Sequence, residues 1–210
     1  MDLKINEEFK SLIPKLTAEE YEGLEASIIQ EGCRDKIVTW KGYIIDGHNR
    51  YEICNKHSIA FEVLEKDNFE TEADVKLWMI NNQFNRRNLP IETRMKLAYR
   101  FKEIEAEKAK ERQSNLSNLK QFQNDTTDTP ASLPVGSPEE KGKTLEKLAQ
   151  KAGVSRATAE QYDAIQRKGT EEQKAQVDSG DSSIKKVYTQ IQRAERLEKY
   201  QLLNQLPEVA

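Results

Sequence analysis

The sequence has few of the residues that build metal sites, disulfide frameworks and membrane spans. It contains two cysteines and two histidines in 210 residues. Cys33 and Cys54 have no CxxC spacing and no neighbouring cluster of ligands, so we expect reduced thiols and neither zinc nor a disulfide framework. No apolar run approaches the ~18 residues of a membrane helix, and the first ten residues lack an apolar signal segment. These absences predict a cytoplasmic chain that neither enters nor crosses a membrane.

Polar composition and uneven charge favour two small bodies over one large core. Charged residues make up 33% of the chain and hydrophobic residues 36%, which is polar for a single compact domain. Residues 1–85 have 10 Lys and Arg against 17 Asp and Glu, whereas residues 86–112 and 141–210 each have an excess of basic residues. An acidic N-terminal part followed by basic segments is typical of a protein that contacts a polyanion with part of its surface. Solvated helix faces would give the same distribution.

The first part of the chain alternates predicted helices with short predicted strands. A capping box of Thr17 and Glu20 predicts the start of a helix that ends at Gly32. Residues 36–46 predict a hairpin, because two apolar runs flank a two-residue turn that contains glycine. Residues 61–64 then predict a third strand.

Two longer helices and a polar segment follow. The apolar spacing predicts helices over 71–84 and 90–113. Residues 114–142 are rich in Ser, Asn, Gln, Thr and Pro without a sustained period, and such a stretch is uncommon inside a compact domain. We therefore predict an N-terminal domain over 1–113, a flexible linker over 114–142 and a helical domain over 143–210.

Residues 144–163 predict two short helices joined by a tight turn. Gly153 permits the positive φ that such a turn often needs, and Ser155 can cap a second helix that starts at Arg156. This pattern is typical of the DNA-binding helix-turn-helix, in which the second helix enters the major groove. A plain helical hairpin would show the same pattern.

The start of this second helix carries the candidate DNA contacts. Arg156 and Gln161 suit base edges, because guanidinium and carboxamide groups form bidentate hydrogen bonds with guanine and adenine. Ser155 and Thr158 suit phosphates, since hydroxyl groups and a helix N-terminus both bind anions. Ala157 could contact a thymine methyl group.

A final helix is predicted to begin at Ser183. One face of this helix carries an apolar stripe. A stripe of this kind packs beneath the preceding helices or against another copy of the chain, and we expect a homodimer. The stripe consists of Ile184, Val187, Ile191, Ala194 and Leu197, at spacings of three and four.

In the N-terminal part, a strand end and a glycine precede three polar residues at a predicted helix start. The segment is Asp46-Gly47-His48-Asn49-Arg50. Backbone N–H groups and the positive end of the helix dipole would favour an anion such as phosphate there. The guanidinium of Arg50 would add a positive charge with two parallel donors, and the imidazole of His48 could stack on the ligand or donate a hydrogen bond to it. A histidine beside a glycine is more often structural, so the pattern alone leaves both interpretations open.

The order GLEASIIQEG, a strand, IIDGHNRYEIC and NNQFNRRNLPIE resembles the N-terminal domain of the ParB and sulfiredoxin superfamily. The resemblance covers residues 11–112, and the helix-turn-helix that follows in ParB proteins coincides with residues 143–200. It implies an α+β fold, with a small mixed-sheet ParB/sulfiredoxin-like domain followed by an all-α helix-turn-helix domain. It also implies a nucleoid-associated protein whose partners are double-stranded DNA, a second copy of the chain and a partition ATPase.

In that family a G-E-R-R-like box binds nucleotide phosphates, and this chain matches it at Gly47 and Arg50. A second box, E-N-x-x-R, corresponds to Asn82-Gln83-Phe84-Asn85-Arg86, which keeps the arginine without the carboxylate. The missing carboxylate argues against CTP hydrolysis, because Mg²⁺ prefers anionic oxygen ligands. Sulfiredoxin activity is not expected, since His48 stands where the nucleophilic cysteine would be. The resemblance implies a site for CTP or ATP with Mg²⁺, formed by Asp46, Gly47, His48, Asn49, Arg50, Gln83 and Arg86.

Two functions follow from these patterns. The first is a ParB-like DNA-binding protein in partition, maintenance or transcriptional control of a bacterial chromosome or mobile element, modulated by a nucleotide. The alternative is a nucleotide-dependent enzyme resembling small-molecule kinases, because Asp46, His48 and Arg50 also match a D-G-H-x-R box. An aspartate beside a phosphate site could orient a hydroxyl group for phosphoryl transfer. We expect binding rather than catalysis and assign no catalytic residue.

Overall fold

The computed structural model of the chain describes residues 3–85, 89–121 and 138–204. The chain divides into two compact units, which are described separately. The first comprises Met1–Arg87 with Glu103–Leu116, and the second comprises Asn88–Lys102 with Ser117–Ala210. Among the described residues, no helix combines the length and apolar character needed to span a membrane.

Helices and one small sheet build the first unit, and helices build the described part of the second. The first unit contains α1 (Glu7–Ser11), α2 (Ala18–Glu31), β1 (Ile37–Trp40), β2 (Tyr43–Asp46), α3 (His48–His57), β3 (Val63–Glu65) and α4 (Glu72–Phe84). The long helix α5 (Ile91–Gln121) contributes residues to both units. The second unit continues with α6 (Pro138–Ala152), α7 (Arg156–Lys168), α8 (Glu171–Asp178) and α9 (Ile184–Asn204). The predicted α+β class is confirmed.

The sheet of the first unit is mixed, with the strand order β2-β1-β3. β1 pairs antiparallel with β2 and parallel with β3. The hairpin turns through Lys41 and Gly42, whose φ angles are +49° and +76°. Positive φ at both central residues is the requirement of a type I′ turn, which matches the twist of the flanking strands. The structure thus contains the predicted hairpin, and α3 connects it to the parallel strand.

Helix α3 carries core residues on two of its faces. Ile53 and Cys54 cluster with Ile28 of α2, while Tyr51 clusters with Ile37 of β1. Full burial of an aliphatic or aromatic side chain contributes ~1.5–3 kcal/mol relative to its exposure. One helix therefore joins α2 to the sheet.

Side-chain caps determine where two neighbouring helices begin. Thr17 and Glu20 form a capping box at α2, and Thr71 and Asp74 form another at α4. Each box satisfies N–H groups that have no acceptor within the helix. Helix α2 ends where Gly32 adopts a φ of +79°, a conformation that few other residues adopt without strain. Both predicted boundaries of α2 are confirmed.

Helix α7 lies at the centre of the second unit. Its buried residues Ala159, Tyr162 and Ile165 recur every third position, which places them on one face of the helix. Helices α6 and α9 both pack against α7. The face opposite these buried residues stays in contact with solvent.

The start of α5 joins this second unit through tyrosine contacts. The Tyr99 ring packs edge-on against Tyr162 at a centroid distance of 5.0 Å. The Tyr99 hydroxyl donates to Asp163 Oδ1 at 2.7 Å, and the Tyr162 hydroxyl donates to Asp178 Oδ1 at 2.8 Å. Burial, followed by the neighbouring carboxylate, raises the pKa of both tyrosines. Hydrogen bonds thus connect α7 to α5 on one side and to α8 on the other.

Helix α5 extends past its predicted end at residue 113 and reaches Gln121. This extension, SNLSNLKQ, lacks an apolar stripe, and half of its residues are Ser and Asn, whose helix propensity is lower than that of Leu, Lys and Gln. Its local sequence therefore does not indicate that the helix continues. The predicted linker over 114–142 overlaps this extension and the start of α6, and the rest of it lies outside the described residues. The division of the chain at residues 113 and 142 stays a prediction.

The buried part of the apolar stripe of α9 is shorter than the predicted stripe. Ile184, Val187 and Ile191 are buried, whereas Leu197 is 64% exposed. A helix turns by about 100° per residue, so Leu197 lies well away from the face that carries Ile191. Ala194 is exposed as well, so the part of the stripe that packs beneath the preceding helices ends at Ile191. Packing of Ala194 and Leu197 against another copy of the chain stays a prediction.

We predict that Tyr99→Phe lowers the free energy of unfolding by ~1 kcal/mol, because it removes the donor to Oδ1 of the half-buried Asp163 and leaves the carboxylate with Arg167 at Oδ2. Urea unfolding followed by far-UV circular dichroism measures this loss. Tyr188→Phe is the matched control, since the Tyr188 hydroxyl accepts an exposed bond from Gln192 Nε2. We expect a change within ~0.5 kcal/mol for the control. Equal losses in the two variants would contradict the role of Tyr99.

Candidate functional site

The N-terminal box lies where β2 passes into α3. Strand β2 ends at Asp46, Gly47 occupies the N-cap position and α3 begins at His48. No side chain caps this helix. The first N–H groups of a helix have no acceptor within it, and they lie at the positive end of the helix dipole. The junction therefore has the chemistry of an anion site.

Gly47 is the one residue type that fits this junction without strain. Its φ is +96°, a conformation that L side chains rarely adopt. A Cβ atom at this position would lie 3.1 Å from Arg50 Nη2 and 3.2 Å from Ile37 Cδ1. The guanidinium of Arg50 thus folds back over the glycine.

Arg50 and Asp46 form an ion pair within the box. Arg50 Nη2 donates to Asp46 Oδ2 at 3.0 Å and to the carbonyl of Lys36 at 3.2 Å. The two side chains are 18% and 13% exposed, respectively. The buried Nε atom of Arg50 has no hydrogen-bond partner. In this state the guanidinium is held by the protein itself rather than directed into solvent.

His48 is buried with both of its ring nitrogens unsatisfied. The residue is 6% exposed, and neither Nδ1 nor Nε2 has a hydrogen-bond partner. Burial lowers the pKa of His48 to about 4; Asp46 and Glu7 raise it and Lys10 lowers it further. The imidazole is neutral at pH 7. Because buried polar atoms are normally paired, these nitrogens are the feature of the box that most needs an explanation.

The remaining residues of the predicted nucleotide site lie in different settings. Asn49 is half-buried in the first turn of α3. Gln83 is buried on α4, and its Oε1 atom has no hydrogen-bond partner. Arg86 lies outside the described residues. The structure therefore brings Asp46, Gly47 and Arg50 into direct contact, while Gln83 is a buried amide on α4 whose oxygen is unsatisfied.

The second candidate site is the turn between α6 and α7. Gly153 has a φ of +62°, and a Cβ atom there would collide with the guanidinium of Arg94. Ser155 caps α7 by accepting from the Thr158 amide at 3.2 Å, and the two hydroxyl oxygens are 2.9 Å apart. The predicted turn and the predicted start of α7 at Arg156 are confirmed as local structure.

The exposed face of α7 presents the residues predicted to contact bases. Arg156 is exposed, and its Nε donates to Glu160 Oε1 at 2.9 Å. Ala157 is exposed and Gln161 is half-buried. Residues four apart lie one turn from each other on a helix, so the pairs 156/160 and 157/161 form one continuous surface. The sequence analysis missed the ion pairs of Arg156 and Arg50, although both have the i,i+4 spacing that indicates them.

Comparison with known proteins rests on structure, because no family model and no curated protein matches the sequence. A solved pNOB8-like ParB N-domain in a C2221 form aligns with 99% of this chain and 82% of its own, at 20% identity and a TM-score of 0.58. Another structure of a pNOB8-like ParB N-domain aligns with 99% of this chain and 76% of its own, at 21% identity and a TM-score of 0.56.

The chain has the fold of a ParB N-domain. The similarity extends over 99% of the residues, so the ParB N-domain fold includes the α6–α9 helices as well as the small sheet. Both candidate sites therefore lie within one known architecture.

A metal ion does not fit the ParB N-domain fold of this chain as well as an anion does. The described part of the chain contains no group of three or more His, Cys, Asp or Glu residues placed to hold a metal. Asn82 stands where a carboxylate is expected, and a neutral amide is a weaker ligand for Mg²⁺ than an anionic oxygen. The uncapped start of α3, by contrast, suits a phosphate.

We predict that His48 makes the first unit less stable as the pH falls from 6.5 to 4. The folded pKa of about 4 lies below the ordinary value of 6.5, so the unfolded state binds more protons between these values. The stability conferred by neutral His48 is complete above pH 6.5 and is lost as the pH falls, up to about 3 kcal/mol. Urea unfolding followed by tryptophan fluorescence reports on this unit, which holds Trp40 and Trp78.

His48→Gln should flatten this part of the pH profile. His57→Gln is the control for the other histidine of α3, which pairs with Glu25 on the exposed side of the helix. We expect the control to keep the part of the slope that comes from His48, while His57→Gln alters only the contribution of Glu25, whose pKa His57 lowers. An unchanged slope in His48→Gln would show that buried imidazole is not its source.

Proposed function

We propose that this chain is a sequence-specific, ParB-like DNA-binding protein that acts in partition, maintenance or transcriptional control of a bacterial chromosome or mobile element. Helix α7 would enter the major groove of double-stranded DNA, and the protein would be associated with the nucleoid. The observation that carries the proposal is the exposed face at the start of α7, opposite a face that is buried. The likeness to ParB N-domain structures supports the partition role.

The Arg156–Glu160 ion pair is compatible with base recognition. Its two side chains are 58% and 50% exposed, and exposed pairs of this kind contribute at most ~1 kcal/mol. A bidentate contact between arginine and guanine discriminates by ~1–3 kcal/mol. Arg156 would therefore gain free energy by releasing Glu160 and binding a guanine. Glu160 would hold the guanidinium in place until DNA is bound.

The neighbouring residues of α7 suit the contacts assigned to them. Ala157 and Gln161 lie one turn apart on the exposed surface, where they can reach a thymine methyl group and an adenine edge. Ser155 and Thr158 place hydroxyl groups beside the first N–H groups of the helix. These groups together suit a DNA phosphate.

A homodimer would present two copies of α7 to a palindromic site. Dimers of helix-turn-helix proteins bind half-sites about one helical turn apart. Leu197 and Tyr200 of α9, each 64% exposed, offer apolar surface for self-association. A partition ATPase is the further partner that the ParB-like role implies.

We also propose that a nucleotide such as CTP or ATP modulates DNA binding at the N-terminal box. The support is the uncapped α3 start behind Gly47 and the unsatisfied nitrogen atoms of His48 and Arg50. Gln83 Oε1 is an acceptor, so it would pair with a donor group of the nucleotide rather than with a phosphate oxygen. Phosphate oxygens would accept from the first N–H groups of α3, while Arg50 would exchange Asp46 for the ligand. Mg²⁺ would have to be held mainly by the phosphates themselves.

The kinase-like alternative is less compatible with this geometry. It needs the carboxylate of Asp46 to orient a hydroxyl group, and that carboxylate already accepts from Arg50. The ion pair would have to open before Asp46 could act. We therefore prefer a binding function for the box.

Selection of bound sequences from a random DNA pool tests both proposals. We expect one enriched motif, and we expect Arg156→Ala to lose ~1–3 kcal/mol of affinity for it, with relaxed choice at one base pair. Arg167→Ala is the control, because it removes an exposed arginine paired with Asp163 from the far end of α7. The control should keep the motif. Unchanged binding by Arg156→Ala would remove α7 from the interface.

The same selection is run without nucleotide, with CTP and with ATP. A nucleotide that changes the affinity or the enriched motif supports modulation at the box. Identical results under the three conditions would refute modulation and leave DNA binding by α7 unaffected.

A further inference from the structure

The two cysteines of the chain meet in the first unit. Cys33 follows the end of α2, and Cys54 lies in α3. Cys54 is 1% exposed and clusters with Ile28 and Ile53, and the half-buried Cys33 packs against this cluster. The chain has no other cysteine, so there is a single way to pair thiols within one molecule.

Packing places both thiols in one apolar region. The half-buried Cys33 packs against the cluster that contains Cys54, and Cys33 Sγ donates to the carbonyl of Asp35 at 3.4 Å. The end of α2 and the middle of α3 therefore share one packed region in which both reduced thiols lie.

Several other contacts hold α2 against α3 and so keep the thiols together. Glu25 accepts from Lys56 Nζ at 2.7 Å and is 2.6 Å from His57 Nε2. Tyr21 donates to Glu52 at 3.3 Å. These bonds connect the outer turns of the two helices, which reduces the movement needed to bring Cys33 onto Cys54.

We propose that Cys33 and Cys54 are a reversible modification site, at which a peroxide or a small-molecule disulfide converts the two thiols into one intramolecular disulfide. The bond joins the end of α2 to the middle of α3. This inference does not depend on the proposed DNA-binding function.

The chemistry begins at Cys33 and ends at Cys54. With hydrogen peroxide, the Cys33 thiolate attacks one oxygen, the O–O bond breaks and hydroxide leaves, which yields a sulfenic acid. Cys54 then attacks the Cys33 sulfur, the S–O bond breaks and water leaves as the S–S bond forms. Two thiols lose two electrons and the peroxide becomes two waters. With a small disulfide, the two released thiols carry these electrons instead.

The environments of the thiols agree with this order. Burial, followed by the influence of the nearby Cys33, raises the pKa of Cys54 to about 11, so few Cys54 thiolates exist at neutral pH. Cys33 is partly open to solvent, and exposed thiols are the ones that oxidants reach. The oxidant therefore reacts first with Cys33. Cys54 reacts only afterwards, with the oxidised sulfur of Cys33.

The disulfide would enclose residues 33–54, which include β1, β2 and the Gly47–Arg50 box. Closing this loop restricts the unfolded chain and so stabilises the folded state. It would also fix α3, the helix on which the box is built, against α2.

The test uses the full chain, reduced and then treated with oxidised glutathione or hydrogen peroxide at low protein concentration. Free thiols are alkylated, and intact mass and tryptic peptides are measured. We expect loss of two hydrogen atoms, a link between peptides 16–34 and 51–56, a raised Tm, and reversal of all three by dithiothreitol. Both thiols remaining alkylatable, or linkage between chains alone, would overturn the proposal.

Two single variants separate the steps. Cys54→Ser should retain a glutathione adduct on Cys33, because nothing is left to displace it. Cys33→Ser should resist glutathione, since its remaining thiol is buried. A stable Cys33 adduct in the unaltered chain, equal to that of Cys54→Ser, would show that Cys54 does not complete the exchange.

Discussion

The positive φ of Gly47 is the constraint on which much of the first unit depends. It turns the chain sharply from β2 into α3 and leaves room for the Arg50 guanidinium to fold back over the backbone. From that start, α3 places Tyr51 against the sheet and Ile53 against α2. Because glycine has no side chain, the first N–H groups of α3 also have no side-chain cap. Structure and chemistry at this junction thus have a common origin.

The box is therefore an incompletely satisfied part of an otherwise well-packed unit. His48, Arg50 and Gln83 each contain a buried polar atom without a partner, and such atoms cost free energy in the absence of a ligand. An anion that accepted from His48 or Arg50 would stabilise the folded state by mass action. Occupancy of the site and stability of the unit would then be coupled.

Helix α7 of the second unit has one buried face and one exposed face. The buried face of α7 is held by apolar packing and by the tyrosine hydrogen bonds to α5 and α8. These contacts do not involve the opposite face of α7. Its side chains are therefore not needed for packing and can contact a partner. The exposed Glu160 carboxylate orients the Arg156 guanidinium. Because an exposed ion pair is weak, Arg156 can leave Glu160 at little cost in free energy.

Local rules made much of the architecture predictable. The capping box at Thr17, the type I′ turn at Gly42 and the cap at Ser155 each depend on interactions among residues a few positions apart, so the sequence alone indicates them. The residues of both candidate sites could be named for the same reason. Their burial could not, since it depends on which elements pack over them.

Only the tertiary structure decided that the start of α5 contributes Tyr99 to the second unit, that Leu197 faces solvent and that Cys33 meets Cys54. Each of these features joins residues distant in sequence or depends on the exact rotation of a helix. Periodic patterns state which face of an element is apolar but not which partner covers it. The packing of the whole chain determines the partner of each apolar face. Burial of apolar surface is favourable wherever shapes fit, so the local sequence does not specify which element covers it.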